Sequence, residues 1–161
     1  MRNKKTLFIT QAALIAALYI VLVFVFKPIS FSMVQVRIAE ALTILPFFTP
    51  AAIPGITIGC FLSNYLSGAD MLDVIFGTLA TFIGAIGSYQ LRKHKFLVPL
   101  PPILANTIVI PWVLRFAYGE TLPIYFMMLT VGVGEILSCG ILGTLLLLAL
   151  NKYRGAIFHN Q

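Results

Sequence analysis

The sequence predicts an all-α integral membrane protein: a six-transmembrane-helix bundle with both termini cytoplasmic. Three observations carry this. Of the 161 residues, 60% are hydrophobic and 10% charged, against roughly 45–50% and about 25% in soluble domains, and a chain this short has no core large enough to hide so much apolar surface. The apolar residues fall into stretches on the scale of a span, ~20 residues for ~30 Å of hydrocarbon. The basic residues behind the formal charge of +6 cluster at the ends of those stretches, where membrane topology places them. They do not line a soluble face that would suit nucleic acid.

The first span, roughly 7–26, follows the basic MRNKK. It resembles a signal peptide, but its ~20 apolar residues exceed the usual h-region and no A-x-A cleavage site follows, so it reads as a retained span. The second and third, roughly 35–49 and 53–67, are short. The segment between them, FFTPAAIPG, carries two prolines and a glycine. Pro54 suits the first turn of a helix, which favours two helices over one; the alternative is a single broken or re-entrant hairpin. The fourth and fifth spans are roughly 73–91 and 99–116. The sixth, roughly 122–150, is longer than the membrane requires: residues 123–150 would extend ~42 Å as a helix.

Six spans put Arg2, Lys4, Lys5, Arg92, Lys93, Lys95, Lys152 and Arg154 on one side and Lys27, Arg37 and Arg115 on the other. The richer side is cytoplasmic by the positive-inside rule. An odd count would split the clusters. The chain is therefore expected to form one multi-pass membrane domain, 1–161.

Several function classes are excluded on this reading. No P-loop pattern occurs, so any uphill movement of a solute must draw on a partner or an ion gradient. The halves show no internal repeat of the kind found in free-standing secondary transporters. Cys60 and Cys139 lie in apolar runs without CxxC spacing, which points to packing rather than a disulfide or metal site. His94 and His159 fall in basic or terminal segments away from the carboxylates, and no HExxH or G-x-S-x-G motif is present. Neither an enzyme, a cofactor nor a resident metal is expected.

Ionisable groups in a span are costly and face the protein interior or a wet cavity. Arg37 and Glu40, three apart, can pair on one helix face, either as an interfacial ion pair or with Arg37 orienting Glu40 for a ligand. Glu135 lies in LTVGVGEILSCGILG, flanked by small residues that leave room beside it, with no cation within a helical turn. A ligand bearing N–H donors, a proton or an arginine from another helix must satisfy it. Asn106 sits mid-span, and Asn64 precedes the SGAD turn. Asp70 and Asp73 read mainly as helix caps. Trp112 and Tyr118, with Tyr125 and Phe126, suit an interfacial aromatic belt, and Trp112 is the leading candidate for stacking on a planar ligand. These polar groups are expected to converge in the outer half of the membrane as a binding cavity.

Small residues recur at four-residue spacing, among them Ala12 and Ala16, Ala13 and Ala17, and Gly55 and Gly59. Such pairs let helix backbones approach closely in lipid.

The run VQVRIAEALTILPFFTPAAIPGITIGCFLSN, followed by DVIFGTLATFIGA, resembles the QueT family of substrate-binding S components from energy-coupling factor (ECF) transporters. The likeness is strongest over residues 34–86, and its most specific part is R-x-x-E-A-L-T-x-L-P. It implies a six-helix membrane subunit that binds a vitamin-like solute near the outer face and associates with the transmembrane scaffold EcfT and two cytoplasmic ECF ATPases. It further implies uptake of a queuosine precursor, a 7-deazaguanine base such as queuine or 7-aminomethyl-7-deazaguanine. The family's A-x-x-x-A docking motif is matched by Ala12–Ala16 and Ala13–Ala17. Such a base presents adjacent N1–H and 2-amino donors that one carboxylate, Glu135 or Glu40, can accept together. Asn106 or Asn64 can read its O6 and pyrrole edges, and Trp112 can cover its face. The quoted resemblance reaches Arg37, Glu40 and Asn64; the roles of Asn106, Trp112 and Glu135 come from the residues themselves. The alternatives are an S component for a different vitamin and, further off, a small membrane enzyme or an oligomeric channel.

Overall fold

The computed structural model describes residues 3–27 and 36–153, and every regular element among them is helical. Arg2, Arg154, His159 and the first residue of the expected second span lie outside the described residues.

Helix α1 (Lys4–Val25) starts at Asn3, whose side chain accepts from the Lys5 amide at 3.1 Å. It buries Ala16, Tyr19 and Val23, a stripe at helical spacing, while Ile9, Leu14, Val21 and Val25 remain more than half exposed. α2 (Ile38–Phe47) is wound as a 3-10 helix, and every residue from Ala39 to Pro46 is buried. Ten residues is long for this winding, which brings positions three apart into line. Glu40 and Thr43 therefore form one column with Arg37 at its head, and the Thr43 hydroxyl donates to the Glu40 carbonyl at 2.6 Å. α2 packs against α1, α3 (Ala52–Leu66), α4 (Met71–Gln90) and α6 (Ile124–Lys152), so it forms the axis of the bundle. α5 (Leu100–Ala117) closes the ring between α4 and α6.

Four helices, α1, α4, α5 and α6, are long and apolar enough to cross a membrane; α2 and α3 are apolar but shorter. The break between the second and third segments falls where the prolines put it, with α3 beginning at Ala52 and Pro54 in its first turn. At about 2.0 Å per residue α2 spans about 20 Å, well short of ~30 Å of hydrocarbon. α4 and α6 each contain a π-helical segment, Asp73–Gly77 and Ile136–Leu142. Such bulges concentrate at functional sites, and both border the polar cluster described below.

α1 and α3 meet backbone to backbone. A β-carbon on Gly55 would stand 2.7 Å from the Ala12 carbonyl oxygen, and one on Gly59 would stand 2.8 Å from Tyr19 Cβ. The small-residue spacing thus serves internal packing on this side of α1. It also divides the alanines: Ala16 is buried and Ala12 half-buried toward α3, whereas Ala13 and Ala17 are exposed.

The basic clusters gather at one end. Gln11 of α1 accepts from Thr49 just after α2, Phe47 lies against the 92–97 loop, and Val98 and Leu147 share a core with Phe48. Lys4, Lys5, Arg92, Lys93, Lys95 and Lys152 are thereby brought to that end. At the other end Lys27 donates to the Ser67 carbonyl, and the Asp70 amide donates to the Tyr118 hydroxyl.

Candidate functional site

Each of the six helices contributes to one buried polar cluster between them. α1 supplies Tyr19, α2 Glu40 with Arg37 at its head, α3 Cys60 and Asn64, α4 Asp73 and Thr81, α5 Asn106, and α6 Glu135 and Cys139. All are less than a tenth exposed. Burying this many polar side chains in an apolar bundle is costly unless they are partnered.

At the centre are two carboxylates. Glu40 and Glu135 each bring an oxygen, together with the Cys139 sulfur, to within 4.8 Å of one another. Glu40 Oε1 accepts from the Tyr19 hydroxyl. Glu135 Oε1 accepts from Asn106 Nδ2 at 3.0 Å, and its Oε2 lies 3.2 Å from the Cys139 thiol. Glu40 Oε2 is buried and makes no hydrogen bond, although Thr81 and Asn106 border it. Two oxygen donors and a sulfur at this spacing have the makings of a cation site.

Toward the end that carries Lys27, Arg37 makes an ion pair with Asp73, Nη2 to Oδ2 3.6 Å. Tyr118 donates to the same Asp73 oxygen at 3.0 Å. Partial burial and the neighbouring Asp73 charge push the Tyr118 phenol up to about 12, so it holds its proton throughout the physiological range. Asp73 Oδ1 has no hydrogen-bond partner and faces the gap left by the absent side chain of Gly77. A β-carbon there would lie 3.0 Å from that oxygen and 3.4 Å from Asn64 Nδ2. Asn64 Nδ2 and the Thr81 hydroxyl both reach Cys60 Sγ, at 3.7 and 3.4 Å.

Of the residues expected from sequence, Arg37, Glu40, Asn64, Asn106 and Glu135 are brought together. Trp112 is not. It is 49% exposed, stacks on Phe116, and lines an apolar groove with Leu72, Phe76 and Ile108 on the outside of the bundle. Helical spacing explains this: Asn106, Ile110 and Val113 take the inward face of α5, with Pro111 buried beside them, and Trp112 falls on the opposite side. Two further readings need correction. Arg37 reaches across to Asp73 for its ion pair rather than down its own helix to Glu40. Asp70 does cap, accepting from the Leu72 amide at 2.8 Å, but Asp73 is buried and belongs to the cluster.

Tyr19, Asp73, Thr81 and Gly77 belong to the cluster without being expected there from sequence. Tyr19 had a usable signal. It shares an inward face with Ala12, Ala16 and Val23, and a phenol hydroxyl facing inward in mid-span requires an acceptor. His94 lies exposed at the basic end, remote in the fold from these carboxylates.

Residues 9–152 match the family model described as QueT transporter. Over 85 residues the chain is 39% identical to the queuosine precursor transporter QueT of Lactococcus lactis subsp. cremoris (strain MG1363). That alignment covers 52% of this chain and 50% of the relative, so the chain matches about half of that protein's length. No solved structure matches the chain.

Proposed function

The chain belongs to the QueT transporter family, and on that premise we propose that it is the substrate-capturing S component of an ECF-type importer for a queuosine-precursor 7-deazaguanine base, queuine or 7-aminomethyl-7-deazaguanine. In this reading it spans a bacterial cell membrane six times with both termini in the cytoplasm. EcfT and two cytoplasmic ECF ATPases supply the motor. The gathering of six of the nine described Lys and Arg residues at one end of the bundle supports that orientation.

The observation that carries the proposal is the six-helix polar cluster. A solute held there would meet side chains from every helix of the bundle and be largely buried, as ligand sites are. The cluster offers carboxylates for the base's N1–H and 2-amino donors, and the Asn64 and Asn106 amides for edges that mix donors and acceptors. A carrier is favoured over an enzyme because the matching family and the matching relative are both named as transporters.

Equilibrium binding of the purified protein to 7-aminomethyl-7-deazaguanine, queuine, guanine and unrelated vitamins tests the substrate. Saturable binding confined to the deazaguanines is expected, and binding of a different vitamin alone would reassign it. A channel would instead conduct without partners. For docking, the exposed Ala13 and Ala17 replace Ala12 and Ala16 as the informative pair. Ala13→Leu with Ala17→Leu should abolish co-purification with the ATPase module and leave ligand binding intact. Unchanged co-purification would remove these alanines from the interface.

A further inference from the structure

The Glu40–Glu135 pair is the part of the cluster that neutral contacts leave incomplete. Both residues are less than 5% exposed, and their nearest oxygens lie within 4.8 Å. Around them stand Tyr19 from α1, Cys60 from α3, Thr81 from α4, Asn106 from α5 and Cys139 from α6. These groups donate hydrogen bonds or pack; the nearest positive charge, Arg37, is felt by both carboxylates but makes its ion pair with Asp73. Among the described residues the ion pair in the cluster is Arg37 with Asp73. The inventory is three carboxylates against one guanidinium. Like charges this close in a low-dielectric interior repel strongly, so the pair must share a proton or receive something cationic between its oxygens.

We propose that Glu40 and Glu135 form an ammonium clamp, so that the solute this site takes is a cationic amine. The inference rests on the functional reading above and deepens it: both candidate bases carry a basic aminomethyl nitrogen, and that nitrogen, protonated, sits between the two carboxylates. The spacing fits. Two N–H···O bonds of about 2.8 Å from one tetrahedral nitrogen set their acceptors about 4.6 Å apart. The donor count fits as well, because an ammonium has several N–H groups and no acceptor to leave unsatisfied, and Glu40 Oε2 is an open acceptor. A neutral N1–H and 2-amino edge laid against the same pair would bring no charge to it and would leave the pair to hold a proton of its own. That edge is better matched by Asp73, whose charge Arg37 already balances and whose Oδ1 is open.

The test compares, at pH 7 in the presence of EDTA, the affinity of the purified protein for 7-aminomethyl-7-deazaguanine and for its neutral isostere 7-hydroxymethyl-7-deazaguanine. The amine is expected to bind roughly ten-fold tighter or more, the scale of a hydrogen-bonded charged contact. Glu40→Gln and Glu135→Gln should each shrink that ratio toward one, chiefly by weakening the amine. Equal affinity of the two compounds for the wild-type protein would overturn the clamp and leave the deazaguanine reading standing. Binding of neither, with EDTA or without it, would overturn both. Binding of the amine that EDTA abolishes would replace the ammonium with a metal ion. The wild-type comparison decides the matter even where a variant fails to fold.

Discussion

Asp73 and the Glu40–Glu135 pair are equally buried, yet their surroundings differ in kind. Asp73 has a guanidinium at 3.6 Å and a phenol at 3.0 Å on the same oxygen. Glu40 and Glu135 have a phenol, an amide and a thiol between them, all neutral donors. A balanced carboxylate stabilises the empty fold. An unbalanced pair costs stability until a ligand arrives, which is how a site converts its own strain into affinity. The contrast separates structure from function among carboxylates that look alike in sequence.

The sharpest way to break the comparison is Arg37→Met, which leaves Asp73 buried without its cation. A loss of about 3–5 kcal/mol is expected, read as thermal unfolding in detergent, with much of it recovered in the Arg37→Met, Asp73→Asn double variant. Glu40→Gln and Glu135→Gln should go the other way. Removing one of two crowded charges should leave the empty protein as stable as wild type or raise its melting temperature, and a drop would show that the pair is structural. Tyr19→Phe takes away the donor to Glu40 Oε1 and should cost about 1–3 kcal/mol of empty-state stability. Tyr118→Phe, at a half-exposed position, should cost about 1 kcal/mol or less. Tyr118 also has a defined pH signature. Its folded pKa is raised to about 12, so the folded state holds the proton more tightly than the unfolded chain. Its contribution is complete below the unfolded value of about 10 and is lost as pH rises through about 12. A melting-temperature difference between wild type and Tyr118→Phe that varied between pH 6 and 9 would contradict this.

Sequence carried the composition argument, the short second and third helices and five of the cluster's residues, because a charge or amide in an apolar stretch stands out on its own. It could not carry partners. Arg37 finds Asp73 through the packing of α2 on α4, and local spacing offered Glu40 in its place. Asp73 looked like a cap because it follows Asp70 in a turn, and only the fold turns it inward. The 3-10 winding of α2 leaves no periodic trace, since a helix buried on every side has no polar face to mark its pitch. Trp112 misled for the opposite reason: its chemistry suited a ligand, while its place on α5 faces out of the bundle.

Tyr19 gives α1 two duties. The helix is pressed onto α3 at Gly55 and Gly59, its inner face holds the hydrogen bond to Glu40, and its outer face displays Ala13 and Ala17. Under the proposed function, a partner seated on the outer face and a solute seated at Glu40 would act on one rod. Linkage of this kind is reciprocal: whatever factor the solute applies to the partner's grip, the partner applies to the solute's affinity. A full carrier and an empty one can then be told apart from outside the bundle, by a partner that never touches the cargo.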